Sequence, residues 1–79
     1  MRITYLATAG AADPTRASIP LHLAANGSLE LGQEVSVILV GDATEILIGD
    51  AGERLEGVGL PPARELLTKL REHDVPVYV

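Results

Sequence analysis

An α/β fold built on a parallel sheet is what the sequence predicts, on three observations. Apolar runs and stretches of helical period alternate along the chain in the order strand, helix, strand, helix, strand. The second apolar run, Val35–Val40 (VSVILV), is β-branched or aliphatic at all but one position, the pattern of a covered parallel strand. The first run, Ile3–Ala7, climbs into a loop of small residues that ends at Asp13-Pro14, a helix-start signal.

Taken in order, Ile3–Ala7 is short enough for a buried strand. Thr8–Ala12 are small residues that let the backbone approach a ligand or another chain. Asp13 is placed to cap the following helix, and Pro14 suits its first position. The next segment has two local readings. Ile19–Leu23 and Ser28–Leu31 alternate around Asn26-Gly27, which is a hairpin signal. A helix from Pro14 to Leu31 must carry Pro20 and Gly27, at ~3 and ~1 kcal/mol respectively. The helix is preferred: Leu21, Ala24, Ala25 and Leu29 share one face, Gly32 can end it, and a parallel successor strand needs a crossover.

After Val35–Val40, Asp42 and Glu45 have capping-box spacing, and Ile46–Ile48 read as a short helix stopped by Gly49. Gly49–Gly59 holds four glycines and several charges and reads as a mobile loop. Pro61-Pro62 opens a last helix with Ala63, Leu66, Leu67 and Leu70 as its buried stripe. Val75–Val79 is the third strand, with Pro76 tolerable near its start. Right-handed crossovers predict helices on both faces and the flavodoxin-like strand order 2-1-3, with the first strand central. A crevice between strands 1 and 3 at their carboxyl ends is then the expected ligand site.

Composition bounds the function. Seventy-nine residues make one domain with a thin core. There is no cysteine to form a disulfide, and two histidines cannot close a zinc site, so association between subunits is the expected source of extra stability. A net charge of −5, six scattered basic residues and two aromatics exclude a nucleic-acid reader. No apolar run approaches a membrane span, and the start MRITYLATAGAA is a strand rather than a secretory signal, which predicts a cytoplasmic protein. Neither GxxxxGK[ST] nor GxGxxG occurs, and no cofactor is expected.

The series of features along the whole chain resembles the DsrE/DsrF-like family, the sulfur-relay group with its TusBCD-type subunits. The matching residues are the Ile3–Ala7 strand, the loop Ala9–Ala17, the helix closing at Gly32, and Glu34-Val35-Ser36-Val37. Gly41-Asp42, Leu60-Pro61-Pro62 and the final Val-x-Val-Tyr-Val strand complete the series. The resemblance implies a three-layer α/β/α fold, trimers or hexamers, and a persulfide carried on a cysteine, with a sulfur-donor or acceptor protein as partner. In many relatives that cysteine follows the strand equivalent to Val75–Val79. This sequence stops one residue short of it, so a chain truncated at its C-terminus is expected and no catalytic residue is carried over.

The candidate ligand-binding residues are Thr8, Ala9, Gly10, Arg16 and Gly41. The amides of Thr8–Gly10 can face an anion or simply pack beneath a neighbouring loop. Arg16 can hold an anion or tune a thiol. Its plainer reading, a surface ion pair with Asp13 or Glu53 or a subunit contact, is preferred. His22, His73, Ser18 and Ser28 lack any catalytic context, and capping accounts for Asp42 and Glu45. His73-Asp74 stands where a helix-ending glycine would be usual and reads as a turn. Two functions follow: sulfur transfer as a persulfide in the complete protein, or a non-catalytic oligomeric module that binds a small anion or a partner. The last strand, at the sheet edge, is an apolar template that predicts self-association.

Overall fold

The computed structural model describes residues 2–48 and 50–79. Strand β1 (Arg2–Ala7) leads through a loop to helix α1 (Pro14–Leu23). The helix widens into a π-helical turn (Ala24–Ser28) before strand β2 (Glu34–Leu39). A 3₁₀ helix (Gly41–Leu47), the single turn α2 (Ala51–Arg54) and helix α3 (Ala63–Glu72) follow, and strand β3 (Val77–Tyr78) closes the chain. The sheet is parallel throughout, as the sequence predicts.

The strand order is β1-β2-β3, not 2-1-3. Strand β2 is therefore central, and the expected crevice between strands 1 and 3 does not exist. The layering differs for the same reason. Strands β1 and β2 alternate: Tyr5, Ala7, Val35, Val37 and Leu39 join the core, whereas Arg2, Thr4, Leu6 and Glu34 are exposed. One face of the sheet is thus too polar to take a helical layer. With both helices on the other face, right-handed crossovers must step in the same direction, which produces the order 1-2-3. Two layers result in place of the expected three, and Val35–Val40 is covered on one face only.

The core lies between that face and the helices. Ala17 and Leu21 of α1 meet Ala63, Leu66 and Leu70 of α3 over Val37 and Leu39. Each fully buried leucine contributes about 1.5–3 kcal/mol. Helix α1 starts as its sequence dictates: the Asp13 carboxylate accepts from Arg16 N at 3.2 Å, with Pro14 in the first turn. Pro20 lies inside the helix without ending it. Asn26 and Gly27, poor helix formers, sit in the widened turn, where Leu29 N reaches Ala24 O at 3.0 Å. That turn carries the buried Ser28, whose hydroxyl lies 2.6 Å from the Tyr5 hydroxyl. Gly32, at φ +75°, ends the segment.

Other expectations are corrected here. Asp42 and Glu45 form no capping box: the 3₁₀ helix has no side-chain cap, and Thr44 Oγ1 donates to Gly41 O at 2.9 Å instead. The predicted stop at Gly49 lies outside the described residues. The expected 49–59 loop contains α2, with Gly52 and Leu55 buried.

Strand β3 is shorter than Val75–Val79 because of Pro76. Val37 N donates to Pro76 O at 3.0 Å, but proline has no N–H to return to Val35 one step earlier. At the end of α3, Asp74 takes the helix-terminating left-handed position at φ 56°, and Val75 N donates to Leu70 O at 2.9 Å.

Candidate functional site

The carboxyl ends of β1 and β2 are brought together by backbone rather than by side-chain chemistry. Val40 N donates to Ala7 O at 3.0 Å, extending the ladder to the point where both chains leave the sheet. The loop after β1 then lies against the start of the 3₁₀ helix. Gly10 is buried there, and a Cβ on it would overlap the carbonyl of Asp42. Gly41 turns the chain at φ +58°, a conformation that glycine adopts without steric cost.

Glu45 joins the two loops. Its Oε2 accepts from Ala11 N at 3.2 Å, so a carboxylate of the chain itself occupies the amide next to the Thr8–Gly10 amides that the sequence nominates for an anion. Asp13 N is taken by Gly10 O at 3.0 Å, and Arg16 N by the Asp13 side chain. A third segment borders the site from the other side. Val58 N donates to Thr15 Oγ1 at 3.0 Å, and a Cβ on Gly57 would approach Thr15 Cα to 3.0 Å.

Of the predicted residues, the structure groups Gly10 and Gly41 in adjoining loops. Thr8 is exposed, and Ala9 is half-buried against the core. Arg16 is exposed and pairs with Asp13 at 3.5 Å, the plainer of its two readings. Glu45 and Thr15 are the residues that sequence reasoning missed. The first was assigned to a cap and the second to no role, and their partners lie 34 and 43 positions away, beyond any local pattern.

The site can hold two loops in register and present an acidic rim of Asp13, Asp42 and Glu45. It offers no thiol, since the chain has no cysteine. Among the described residues, no group of three His, Cys, Asp or Glu side chains could hold a metal ion. No helix among them is long and apolar enough to cross a membrane. His22 accepts from Asn26 Nδ2 at 3.2 Å, and His73 Nδ1 is 2.9 Å from Lys69 O; both bonds are local to their own helical segments.

Two grooves lie elsewhere. One, of about 510 Å³, is at the opposite end of the sheet, between Glu34–Ser36 and His73–Pro76. The other, of about 640 Å³, runs along the solvent side of α3 between Arg64 and His73. Neither includes the strand-end loops.

No curated protein and no solved structure matches the chain significantly. A protein-family comparison does: the DsrE/DsrF-like family matches residues 1–79. The match takes in the glycine-bearing loops at the strand ends as well as the parallel sheet that carries them. On that full-length match, the chain belongs to the DsrE/DsrF-like family.

Proposed function

We propose that this domain serves intracellular sulfur transfer of the sulfur-relay type, as the framework on which a persulfide is carried and passed on. The full-length family match supports the reading. The chain has no thiol, so the sulfur-bearing cysteine comes from outside these 79 residues. The chemistry is an exchange. An acceptor thiolate attacks the outer sulfur of a persulfide, a new S–S bond forms, the old one breaks, and the donor leaves as thiolate. No external oxidant is needed.

The domain's part is positioning. Loops fixed at the carboxyl ends of β1 and β2 would flank such a thiol, and Arg16 is the nearby cation that could favour its thiolate form. The test is to load the native assembly, isolated from cells, with polysulfide and to map persulfides by alkylation and mass spectrometry. A persulfide on a thiol of that assembly is expected. An assembly that takes up no sulfane sulfur sinks the proposal.

A second reading, a non-catalytic oligomeric module, is favoured by one observation: Glu45 already occupies the Ala11 amide at the strand-end loop. On that reading the surface serves a protein partner, and the same experiment returns no adduct on any bound thiol.

A further inference from the structure

Asn26 is the only asparagine of the chain, and a glycine follows it. The pair reads as a hairpin turn in the sequence, yet it lies in the π-helical turn (Ala24–Ser28), and both residues are poor helix formers. Asparagine is chemically labile. It is most so before glycine, which leaves its own backbone nitrogen unhindered for attack on the side-chain amide. At Gly27 the space is open: a Cβ built there would meet nothing within 4 Å among the described residues. Asn26 itself is exposed.

What holds its side chain is α3. Lys69 Nζ donates to Asn26 Oδ1 at 2.8 Å, and because an ammonium can only donate, the orientation of the amide is set. Asn26 Nδ2 therefore donates to His22 Nδ1 at 3.2 Å. Both polar atoms of the amide are thus engaged by other side chains, and attack on its carbon needs two events together. The widened turn must open, and Lys69 must let go. The first is favoured by composition, since a π-type turn built on asparagine and glycine has little helical tendency of its own. The second is favoured by Glu30, which Lys69 also holds, so that the ammonium keeps a partner when it releases Asn26.

We propose that Asn26 is a site of spontaneous deamidation, gated by local opening of the π-helical turn away from α3. The reagent is water. The Gly27 nitrogen gives its proton to solvent and attacks Asn26 Cγ. A C–N bond forms, the Cγ–Nδ2 bond breaks, and the amide nitrogen takes up a proton and leaves as ammonia. Water then opens the cyclic imide to give aspartate at position 26 or its isomer, in which the chain runs through the side-chain carboxyl. No oxidant or reductant takes part. Aspartate there sets a second carboxylate beside Glu30 on the one lysine of the chain, and the isomer lengthens the backbone of a turn that is already wide. Either product alters the joint between the first helical segment and α3 as the molecule ages. This inference does not depend on the sulfur-relay reading.

The experiment incubates the full chain at neutral pH in water labelled with heavy oxygen, both folded and in guanidinium chloride, and maps residue 26 by peptide mass spectrometry. The folded chain should convert measurably but more slowly than the unfolded one, and both product peptides should carry the label. Lys69→Met should raise the folded rate several-fold and leave the unfolded rate unchanged. Gly27→Ala, whose Cβ enters open space, should slow both. Gly10→Ala, at the other end of the first helical segment, should leave the folded rate unchanged, because the opening is local. A folded chain that keeps its amide while the unfolded chain loses it overturns the proposal, as does equal acceleration by Lys69→Met and Gly10→Ala. Should Lys69→Met not fold, the parent chain decides by the first of these outcomes.

Discussion

Gly10 and the carbonyl oxygen of Asp42 are in such close contact that no side chain fits between them. The contact is backbone to backbone, so neither partner can rotate away. Gly10→Ala should therefore separate the two strand-end loops and cost about 1–3 kcal/mol, the range for overpacking a filled site. Urea denaturation of the two proteins measures it. A loss below a few tenths of a kcal/mol would show that the loops do not meet there.

The Tyr5–Ser28 hydroxyl pair ties β1 to the π-helical turn. Tyr5→Phe leaves the buried Ser28 hydroxyl without that partner and should cost about 1–3 kcal/mol. Adding Ser28→Ala to Tyr5→Phe should recover part of the loss, because the unpaired group is then gone. A double-mutant cycle reads the coupling, and strict additivity would contradict the contact.

Lys69 bonds to Glu30 and to Asn26 Oδ1, holding α3 against the end of the first helical segment. The Lys69 hydrogen bond and charge lower the Glu30 carboxyl below its ordinary value of 4.5, against a small opposing effect of burial. A depressed folded-state value means that the stabilisation is complete above about 4.5 and is lost as pH falls through the depressed value. Glu30 is exposed, so the effect is small and salt-sensitive. Thermal unfolding of Lys69→Met across the acid range should show a shallower loss of stability than the parent, and an unchanged slope would rule out this pair as its source.

Asp74 holds a left-handed backbone that glycine adopts without penalty. Asp74→Gly should raise stability by a few tenths to about 1 kcal/mol, whereas Asp74→Ala should lower it. The same melting experiment distinguishes them. Equal effects would mean that the backbone conformation at 74 is not left-handed.

Much of the fold was legible because it rests on local signals. Asp13-Pro14 starts α1, Gly32 ends the segment after it, and the Ala63, Leu66, Leu70 stripe faces the core. The strand order was not read correctly, although its cause is in the sequence. Arg2, Thr4, Glu34 and Ser36 alternate with apolar residues and mark a face without helices. The weight given to the VSVILV run hid that alternation. At the candidate site, Gly10 was recognisable, within the run of small residues after β1, as a place of close approach. The bond from Ala11 to Glu45 was not, since a contact across 34 positions leaves no periodic trace. The capping-box spacing of Asp42 and Glu45 was misleading because the segment coils as a 3₁₀ helix, and Glu45 reaches the neighbouring loop instead.

The parallel register has a kinetic consequence. The first rung of the ladder joins Arg2 to Glu34, thirty-two positions apart, and no hairpin is available as a local start. The entropy of closing that loop opposes the sheet until the intervening segment has shortened itself by coiling. The speed of refolding should therefore follow the helical tendency of residues 14–28, with Pro20 and Gly27 as its brakes, more than the strand tendency of β1 or β2.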